Sequence, residues 1–281
     1  MTRWLIMGAG GMLATDLVAR LEAEAPDEVV ALARAALDVR DGAAVRRAVR
    51  DVKPDVVVNC AAWNLVDDAE SREEEATAVN GHAVCLLAAA CGEAGARLVH
   101  LSTDYVFAGE ASSPYAEDAP TSPLNAYGRG KLAGERAVLE QLPLTGYVVR
   151  TAWLYGAHGR NFVRTMARLA EERDTVDVVD DQRGQPTWTA DLAEQLLRLV
   201  RSEAPAGVYH GTNSGEATWY ELAREVFARL GHDPSRVRPV PTAAFPRPAR
   251  RPSYSVLGHA RWAAAGLPPM RPWREALREF L

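Results

Sequence analysis

Short apolar runs alternate with amphipathic stretches through the first half of the chain. The apolar runs predict β-strands at residues 4–7, 29–33, 56–59, 98–102 and 147–150. Apolar residues at helical spacing predict helices between these strands, near residues 12–24, 42–51, 72–95 and 126–141. Strands that alternate with helices in this way are typical of a doubly wound parallel sheet, so we predict the α/β class with a Rossmann fold.

The second half has a less regular pattern, with predicted helices at 191–201 and 219–230 and a strand at 207–209. We predict two units that interleave along the chain. A Rossmann domain takes residues 1–155 and also receives about 188–215, and a smaller α/β domain takes 156–187 and 216–281. Segment 238–252 is rich in proline and arginine and predicts an ordered loop, which either covers a site or serves as a linker.

Composition narrows the classes of protein. Hydrophobic residues make up 48% of the chain, enough for a sizeable core, and the net charge of -5 comes without a basic block that would indicate nucleic-acid binding. The first apolar run is too short for a secretion signal or a membrane span. The three cysteines, Cys60, Cys85 and Cys91, lie among apolar residues and predict buried reduced thiols. We therefore expect a cytoplasmic protein without nucleic-acid or membrane partners.

A glycine cluster follows the first predicted strand, where a helix must begin. Glycines such as Gly8, Gly10 and Gly11 let the backbone approach a pyrophosphate, and the helix start offers N–H donors. Such a cluster alone is also compatible with a plain tight turn. Its place between a predicted strand and helix favours a dinucleotide site.

The end of the second predicted strand bears on the choice between NADPH and NADH. An acidic side chain there binds the ribose 2′-hydroxyl, whereas an arginine accommodates a 2′-phosphate. Arg34 comes first and Asp38 later, so we expect NADPH, with NADH as the alternative. Other residues expected along the dinucleotide are Val39 at the adenine end and the small residues Cys60, Ala61 and Ala62 after the third strand.

Tyr127 and Lys131 lie four residues apart, on one face of a predicted helix. Lys131 is one of two lysines among the 32 basic residues, and a cation near a phenol would lower the pKa of the phenol. Thr103 ends the fourth predicted strand, at the edge where such sheets bind ligands, and its hydroxyl could orient a carbonyl. Hydride from the cofactor, a proton from the phenol and this hydroxyl together predict carbonyl reduction.

With these motifs the chain resembles the dTDP-4-dehydrorhamnose reductases of the extended short-chain dehydrogenase/reductase superfamily. The similar segments are 8–17, 37–39, 54–70, 102–107, 125–131, 149–155, 180–187, 219–220, 249–252 and 255–257. The resemblance implies NADPH-dependent reduction of the C4 ketone of a dTDP-4-keto-6-deoxyhexose by a monomer or homodimer. It also implies that the smaller domain binds the nucleotide sugar.

The resemblance assigns roles to individual residues. Thr103, Tyr127 and Lys131 would form the catalytic triad, with Tyr127 as proton donor and Lys131 also holding the nicotinamide ribose. The residues implied along the cofactor are Gly11, Met12, Leu13, Asp38, Val39, Ala62, Trp63 and Asn64. Those implied at the sugar are Asp104 and Trp153. Our candidates for the substrate diphosphate, chosen because guanidinium matches phosphate geometry, are Arg164, Arg183, Arg250 and Arg251.

Departures from the family pattern leave alternatives open. Trp63-Asn64 stands where relatives carry an aromatic residue or histidine followed by threonine, so the sugar is undetermined. Ala190 replaces an acid that contributes to a magnesium bridge in some relatives, so we predict no metal. A related dehydratase would carry glutamate where Tyr105 stands, and Arg34 and the short C-terminal region disfavour an epimerase. A non-catalytic regulatory subunit of the same fold is the remaining alternative.

Overall fold

The structure, a computed structural model, describes residues 1–23 and 27–281. The elements of the first half, in chain order, are β1 (Arg3–Met7), α1 (Met12–Ala23), β2 (Glu28–Leu32), α2 (Gly42–Val52), β3 (Val56–Asn59), α3 (Val66–Ser71), α4 (Glu73–Thr77), α5 (Ala83–Ala94), β4 (Arg97–Thr103), α6 (Ala126–Gln141) and β5 (Gly146–Thr151). A π-helical turn, Ala78–His82, joins α4 to α5. The predicted end of the first helix at residue 24 lies outside the described residues.

The elements of the second half are shorter. In chain order they are β6 (Leu154–Tyr155), α7 (Phe162–Glu172), β7 (Val176–Val179), β8 (Arg183–Gly184), β9 (Thr187–Trp188), α8 (Thr189–Arg201), β10 (Gly207–His210), β11 (Ala217–Thr218), α9 (Trp219–Arg229), β12 (Val237–Val240), α10 (Ala260–Ala264) and α11 (Trp273–Phe280). Three two-stranded sheets form here: β11 with β8, β12 with β7, and β6 with β9.

The central sheet has six parallel strands in the order β10-β5-β4-β3-β1-β2. All five strands predicted in the first half, and the strand predicted in the second half, are confirmed as its members. The chain runs outward from β1 in both directions, so a crevice opens between the carboxyl ends of β1 and β3. The α/β fold predicted from the sequence is therefore confirmed.

Successive side chains of a strand point to opposite faces of the sheet, and here both faces are buried, so each strand is a continuous apolar run in the sequence. Val56 and Val58 of β3 pack with α1 and α8 on one face, and Val57 packs with α2 and α5 on the other. Because helices cover both faces, both sets of side chains are buried. A third apolar cluster, formed by α7, α9 and α11, lies apart from the sheet in sequence and packing.

Two expectations from the sequence change in detail. Segment 238–252 begins as part of β12 and then lines a cavity with Ala243, Phe245 and Arg247, so the interpretation as a linker is wrong. Cys91 is buried and Cys60 is partly buried, but Cys85 is exposed, so the prediction of a buried thiol is wrong there. All three thiols are free. No helix among the described residues is long and apolar enough to cross a membrane.

Candidate active site

The glycine turn after β1 is closed on one side and open on the other. Gly8 has a φ of +79°, and a Cβ there would lie 2.6 Å from the main-chain nitrogen of Ala61. Only glycine fits this position without moving backbone. Gly10 has no atom within 4 Å of the place where a Cβ would stand. The turn therefore leaves open space at the start of α1, where N–H groups face an incoming anion.

Two adjoining cavities hold the predicted cofactor residues. The outer cavity, about 660 Å³, lies at the ends of β1, β2 and β3, and the predicted residues in it are Gly8, Gly10, Gly11, Arg34, Asp38, Val39, Cys60, Ala61, Ala62, Trp63 and Asn64. The inner cavity, about 600 Å³, contains Met12, Leu13, Tyr127 and Lys131. Gly10, Gly11, Cys60, Ala62 and Asn64 line both. The structure thus brings every predicted cofactor residue to one continuous groove.

Arg40 is a residue of the outer cavity that the sequence reasoning missed. Its guanidinium binds the Asp38 carboxylate, with 2.5 Å between Nη2 and Oδ2. Hydrogen bonds from Arg40 lower the pKa of Asp38 to about 2, so this carboxylate is ionised. Arg34 is exposed at the same rim. The guanidinium groups of Arg34 and Arg40 therefore lie near the Asp38 carboxylate in the outer cavity.

Asn80 is a second residue that the sequence reasoning missed. It is fully buried in the π-helical turn, accepts a hydrogen bond from the Trp63 main-chain nitrogen (2.8 Å) and donates one to the Trp63 carbonyl oxygen (3.1 Å). Both main-chain groups of Trp63 are thereby held, which fixes the loop between the two cavities. The sequence carried no clear signal for Asn80, because its burial and the π turn, a feature that often marks functional sites, appear only in the structure.

The predicted triad meets at the inner cavity. Thr103 ends β4, while Tyr127 and Lys131 lie on successive turns of α6, which begins at the side-chain cap of Asn125. The Thr103 hydroxyl donates to Oδ1 of Asp104 (3.0 Å) and lies within hydrogen-bond reach of the Tyr127 phenol. The two hydroxyls therefore lie side by side at the inner cavity, where both can reach one carbonyl oxygen.

The pKa values of Tyr127 and Lys131 differ from those expected for a phenol beside a lysine. Burial and the Asp104 carboxylate raise the pKa of the Tyr127 phenol above its ordinary value. The predicted lowering by Lys131 is wrong for this structure, because Nζ of Lys131 donates to the Leu101 carbonyl oxygen instead. Burial lowers the pKa of Lys131 to about 8. Tyr127 thus remains a protonated donor, while Lys131 is mostly an ammonium at pH 7 and loses its proton at about pH 8.

Asp104 and Trp153, predicted to face the sugar, both line the inner cavity. Burial raises the pKa of Asp104 to about 6, although hydrogen bonds from the Ser255 and Thr103 hydroxyls act to lower it. Trp153 has a left-handed backbone with a φ of +46°, and its indole stacks on Trp219 at 3.5 Å. A Cβ at Gly184 would strike that indole at 2.7 Å. Trp153 is therefore a rigid aromatic wall.

The four arginines predicted for the diphosphate are not all brought together. Arg250 and Arg251 line a side cavity of about 750 Å³, which shares Tyr105 and Trp219 with the inner cavity. Arg251 also pairs with Asp67.

Arg164 and Arg183 line none of these three cavities. Arg164 donates to the Ala157 carbonyl oxygen, and Arg183 faces Glu216 (3.3 Å) and Glu221 (3.4 Å). Two further arginines, which the sequence reasoning missed, lie at the cavities: Arg247 at the side cavity and Arg160 at the inner one.

Comparison with known proteins decides the family. The model of the RmlD substrate binding domain matches residues 2–281. The chain belongs to this RmlD family. It is 58% identical over 281 residues to a dTDP-4-dehydrorhamnose reductase of Streptomyces griseus, covering 99% of this chain and 92% of the relative. It is 56% identical to a dTDP-4-keto-6-deoxy-D-glucose reductase of Streptomyces niveus, covering 99% and 96%.

A solved structure agrees with the RmlD assignment. The dTDP-4-dehydrorhamnose reductase of Bacillus anthracis, solved in complex with NADP, superposes with a TM-score of 0.95 at 36% identity and covers 99% of this chain and 98% of that one. The resemblance found in the sequence is therefore confirmed.

Proposed function

We propose that this chain is an NADPH-dependent reductase of dTDP-4-keto-6-deoxy sugars, which reduces the ketone at C4. The observation that carries the proposal is the meeting of the Thr103 and Tyr127 hydroxyls beside Lys131, in a cavity continuous with the glycine turn. The names of relatives that are 58% and 56% identical over nearly the whole chain support the substrate class. The NADP complex of the Bacillus anthracis relative supports the cofactor.

The residues present fit a phosphorylated dinucleotide. The space at Gly10 and the start of α1 suit the pyrophosphate, and Arg34 with Arg40 suits the 2′-phosphate. When bound, the nicotinamide supplies the hydride. Lys131 would hold the nicotinamide ribose from the floor of the inner cavity, and the outer cavity would take the adenine end beside Asp38 and Val39.

Tyr127 and Thr103 act on the ketone oxygen. As negative charge develops there, the Thr103 hydroxyl turns from Asp104 to donate a hydrogen bond to it, and the phenol transfers its proton to complete the alcohol. Burial keeps the phenol protonated until that charge appears. Trp153, held between Trp219 and Gly184, would border the deoxysugar with the edge of its indole, and Asp104 would lie beside a sugar hydroxyl in the same cavity.

The remaining assignments extend the proposal to the whole molecule. Arg250 and Arg251 in the side cavity would meet the diphosphate, whereas Arg164 and Arg183 would need to leave their present partners to do so. The interleaved division into 1–155 with about 188–215, and 156–187 with 216–281, would separate cofactor from nucleotide-sugar binding. Three free thiols are consistent with a cytoplasmic enzyme, which we expect to be a monomer or homodimer.

A dehydratase reading has less support. Elimination of water needs an additional acid and base after the threonine, but Asp104 is followed by Tyr105, whose phenol contacts the Arg251 guanidinium. That tyrosine offers no carboxylate to the sugar. Relatives of nearly equal identity carry different substrate names, so the assay compares the sugar before and after 3,5-epimerisation.

The test is NADPH oxidation with dTDP-4-keto-6-deoxy-D-glucose, alone and after 3,5-epimerisation. We expect oxidation that depends on one of these sugars, and a loss of about 10²–10⁴ in kcat for Tyr127→Phe. The matched control is Tyr147→Phe, which removes a buried hydroxyl that donates to the Ala204 carbonyl oxygen and lines neither the outer nor the inner cavity. If neither sugar is reduced while NADPH binds, the regulatory-subunit alternative replaces this proposal.

A further inference from the structure

Behind Lys131, on the side away from the cavity, lie two buried polar side chains that the mechanism above does not use. His100 of β4 is fully buried, and Asn59 at the end of β3 is 3% exposed. Residue 134 of α6 is glycine, and a Cβ there would lie 2.3 Å from the Asn80 carbonyl oxygen and 3.1 Å from Nε2 of His100, so the helix can come close to both. The ring therefore sits between the sheet and the helix that carries Lys131.

The orientation of the Asn59 amide follows from its partners. Its Oδ1 accepts a hydrogen bond from the main-chain nitrogen of Ala61 (3.1 Å), and a main-chain N–H can only donate. The other end of the amide is therefore the NH₂ group, which lies 3.1 Å from Nδ1 of His100. Since an NH₂ group can only donate, Nδ1 of His100 must carry a lone pair.

The proton of the ring must then be on the other nitrogen. Burial lowers the pKa of His100 well below its ordinary value, so the imidazole is neutral and carries one proton, on Nε2. Nε2 lies 3.5 Å from Nζ of Lys131. If Nζ were an ammonium, its N–H groups would face the N–H of His100, and neither side could accept. A neutral amine at Nζ has a lone pair that can accept from the imidazole N–H.

We propose that Asn59 and His100 are positioning residues, which present an imidazole N–H to Nζ of Lys131 and so favour its neutral amine in the cofactor-free protein. This inference rests on the proposed role of Lys131. The other titratable groups facing Nζ are Glu135, on the same helix, and the Cys60 thiol, both of which act to raise its pKa. Glu135 is already engaged by Arg150 and Ser102, which leaves burial and His100 acting in the opposite direction.

The consequence is a lysine that can change its protonation during turnover. A neutral Lys131 donates to the Leu101 carbonyl oxygen and accepts from His100, and both contacts hold Nζ in place. When negative charge develops on the ketone oxygen, a neutral Lys131 can take up a proton from solvent, because its pKa of about 8 lies close to neutral pH. The sequence analysis expected a cation at this site.

Histidine tautomers can be read directly from ¹⁵N NMR shifts of histidine-labelled protein. We expect His100 to be the neutral Nε2–H tautomer in the protein without cofactor. His210 is an internal comparison, because its Nδ1 lies 2.9 Å from the Gly258 carbonyl oxygen and must carry the proton. The two buried rings should therefore show opposite tautomers in one spectrum. An Nδ1–H tautomer at His100 would overturn the proposal.

The variant Asn59→Asp tests the coupling with almost no change in shape. A carboxylate keeps the bond from Ala61 but accepts from Nδ1–H, so the tautomer of His100 should reverse and Nε2 should accept from Lys131. We expect the pKa of Lys131 to rise by about one unit or more. The chain has only two lysines, so ¹³C labelling of lysine yields one signal for Lys131 and one for the exposed Lys53.

Unchanged titration of Lys131 and an unchanged tautomer in Asn59→Asp would contradict the inference. A shift of Lys131 without reversal of the tautomer would also contradict it, since charge alone would then explain the shift. If this variant does not fold, the tautomer of His100 in the unaltered protein still decides. Reductase activity is measured separately, so the proposed function can hold while this inference fails.

Discussion

Gly8→Ala should destabilise the protein through backbone contacts alone. The φ of +79° is unfavourable for any residue with a Cβ, and the added carbon would lie 2.6 Å from the nitrogen of Ala61 and 2.8 Å from the carbonyl carbon of Cys60. Both contacts are to main chain at the end of β3, which cannot turn aside as a flexible side chain could.

The expected cost has two parts. A left-handed backbone at a non-glycine residue costs roughly 1–2 kcal/mol, and forcing a carbon into filled space costs about 1–3 kcal/mol, so the free energy of unfolding should fall by about 2–5 kcal/mol. Urea unfolding followed by circular dichroism measures this as a lower midpoint with the same slope.

Gly10→Ala is the matched control. Its added Cβ meets no atom within 4 Å, so stability should stay within about 0.5 kcal/mol of the original. The same methyl group faces the space assigned to the pyrophosphate, so NADPH affinity should fall at least about tenfold, because the phosphates could no longer approach the backbone. An unchanged midpoint for Gly8→Ala, or an equal loss of stability in both variants, would refute the reasoning.

Three further predictions concern charge. Glu135→Gln leaves the Arg150 guanidinium buried beside a neutral amide, and since both side chains are at most 4% exposed, the free energy of unfolding should drop by about 3–5 kcal/mol in thermal or urea melts; a loss below 1 kcal/mol would contradict this. Asp104 has a pKa raised from 3.8 to about 6, so the folded protein binds its proton more tightly than the unfolded chain does. The contribution of Asp104 to the free energy of unfolding is therefore fully present below about pH 3.8 and is lost as the pH rises through 6. Asp104→Asn should therefore gain up to about 3 kcal/mol at pH 7 and almost nothing near pH 4, and an equal gain at both values would exclude this origin. Arg34→Ala should raise KM about tenfold for NADPH and little for NADH in paired assays, because only NADPH carries the phosphate that the guanidinium meets; equal effects on both cofactors would show that Arg34 is an ordinary surface charge.

The central sheet could be predicted because its strands are buried on both faces. Runs such as Val56 to Val58 leave no polar position that would confuse strand with loop, and the turn glycines mark where helices begin. The two-residue strands of the second half, such as β8 and β9, have no period to detect and form only because tertiary contacts pair them. The amphipathic helix α7 carried a clear apolar stripe that the sequence analysis overlooked.

Some features of the candidate site could likewise be predicted from the sequence, and others could not. Thr103, Tyr127 and Lys131 could be found because they follow local rules, a strand end and a helical spacing of four. The pKa of Tyr127 could not, since burial and Asp104 act on it through the tertiary structure. His100 and Asn59 lie on neighbouring strands far apart in sequence, and only the register of the sheet brings them together.

The most direct test of the proposed reaction follows the hydride itself. NADPH deuterated at C4 of the nicotinamide, on the transferred face, is incubated with the preferred dTDP-4-keto-6-deoxy sugar, and the product is examined by NMR. The proposed function predicts one deuterium at C4 of the sugar, with the hydroxyl proton drawn from solvent. A product without deuterium at C4, or deuterium at another carbon, would contradict it.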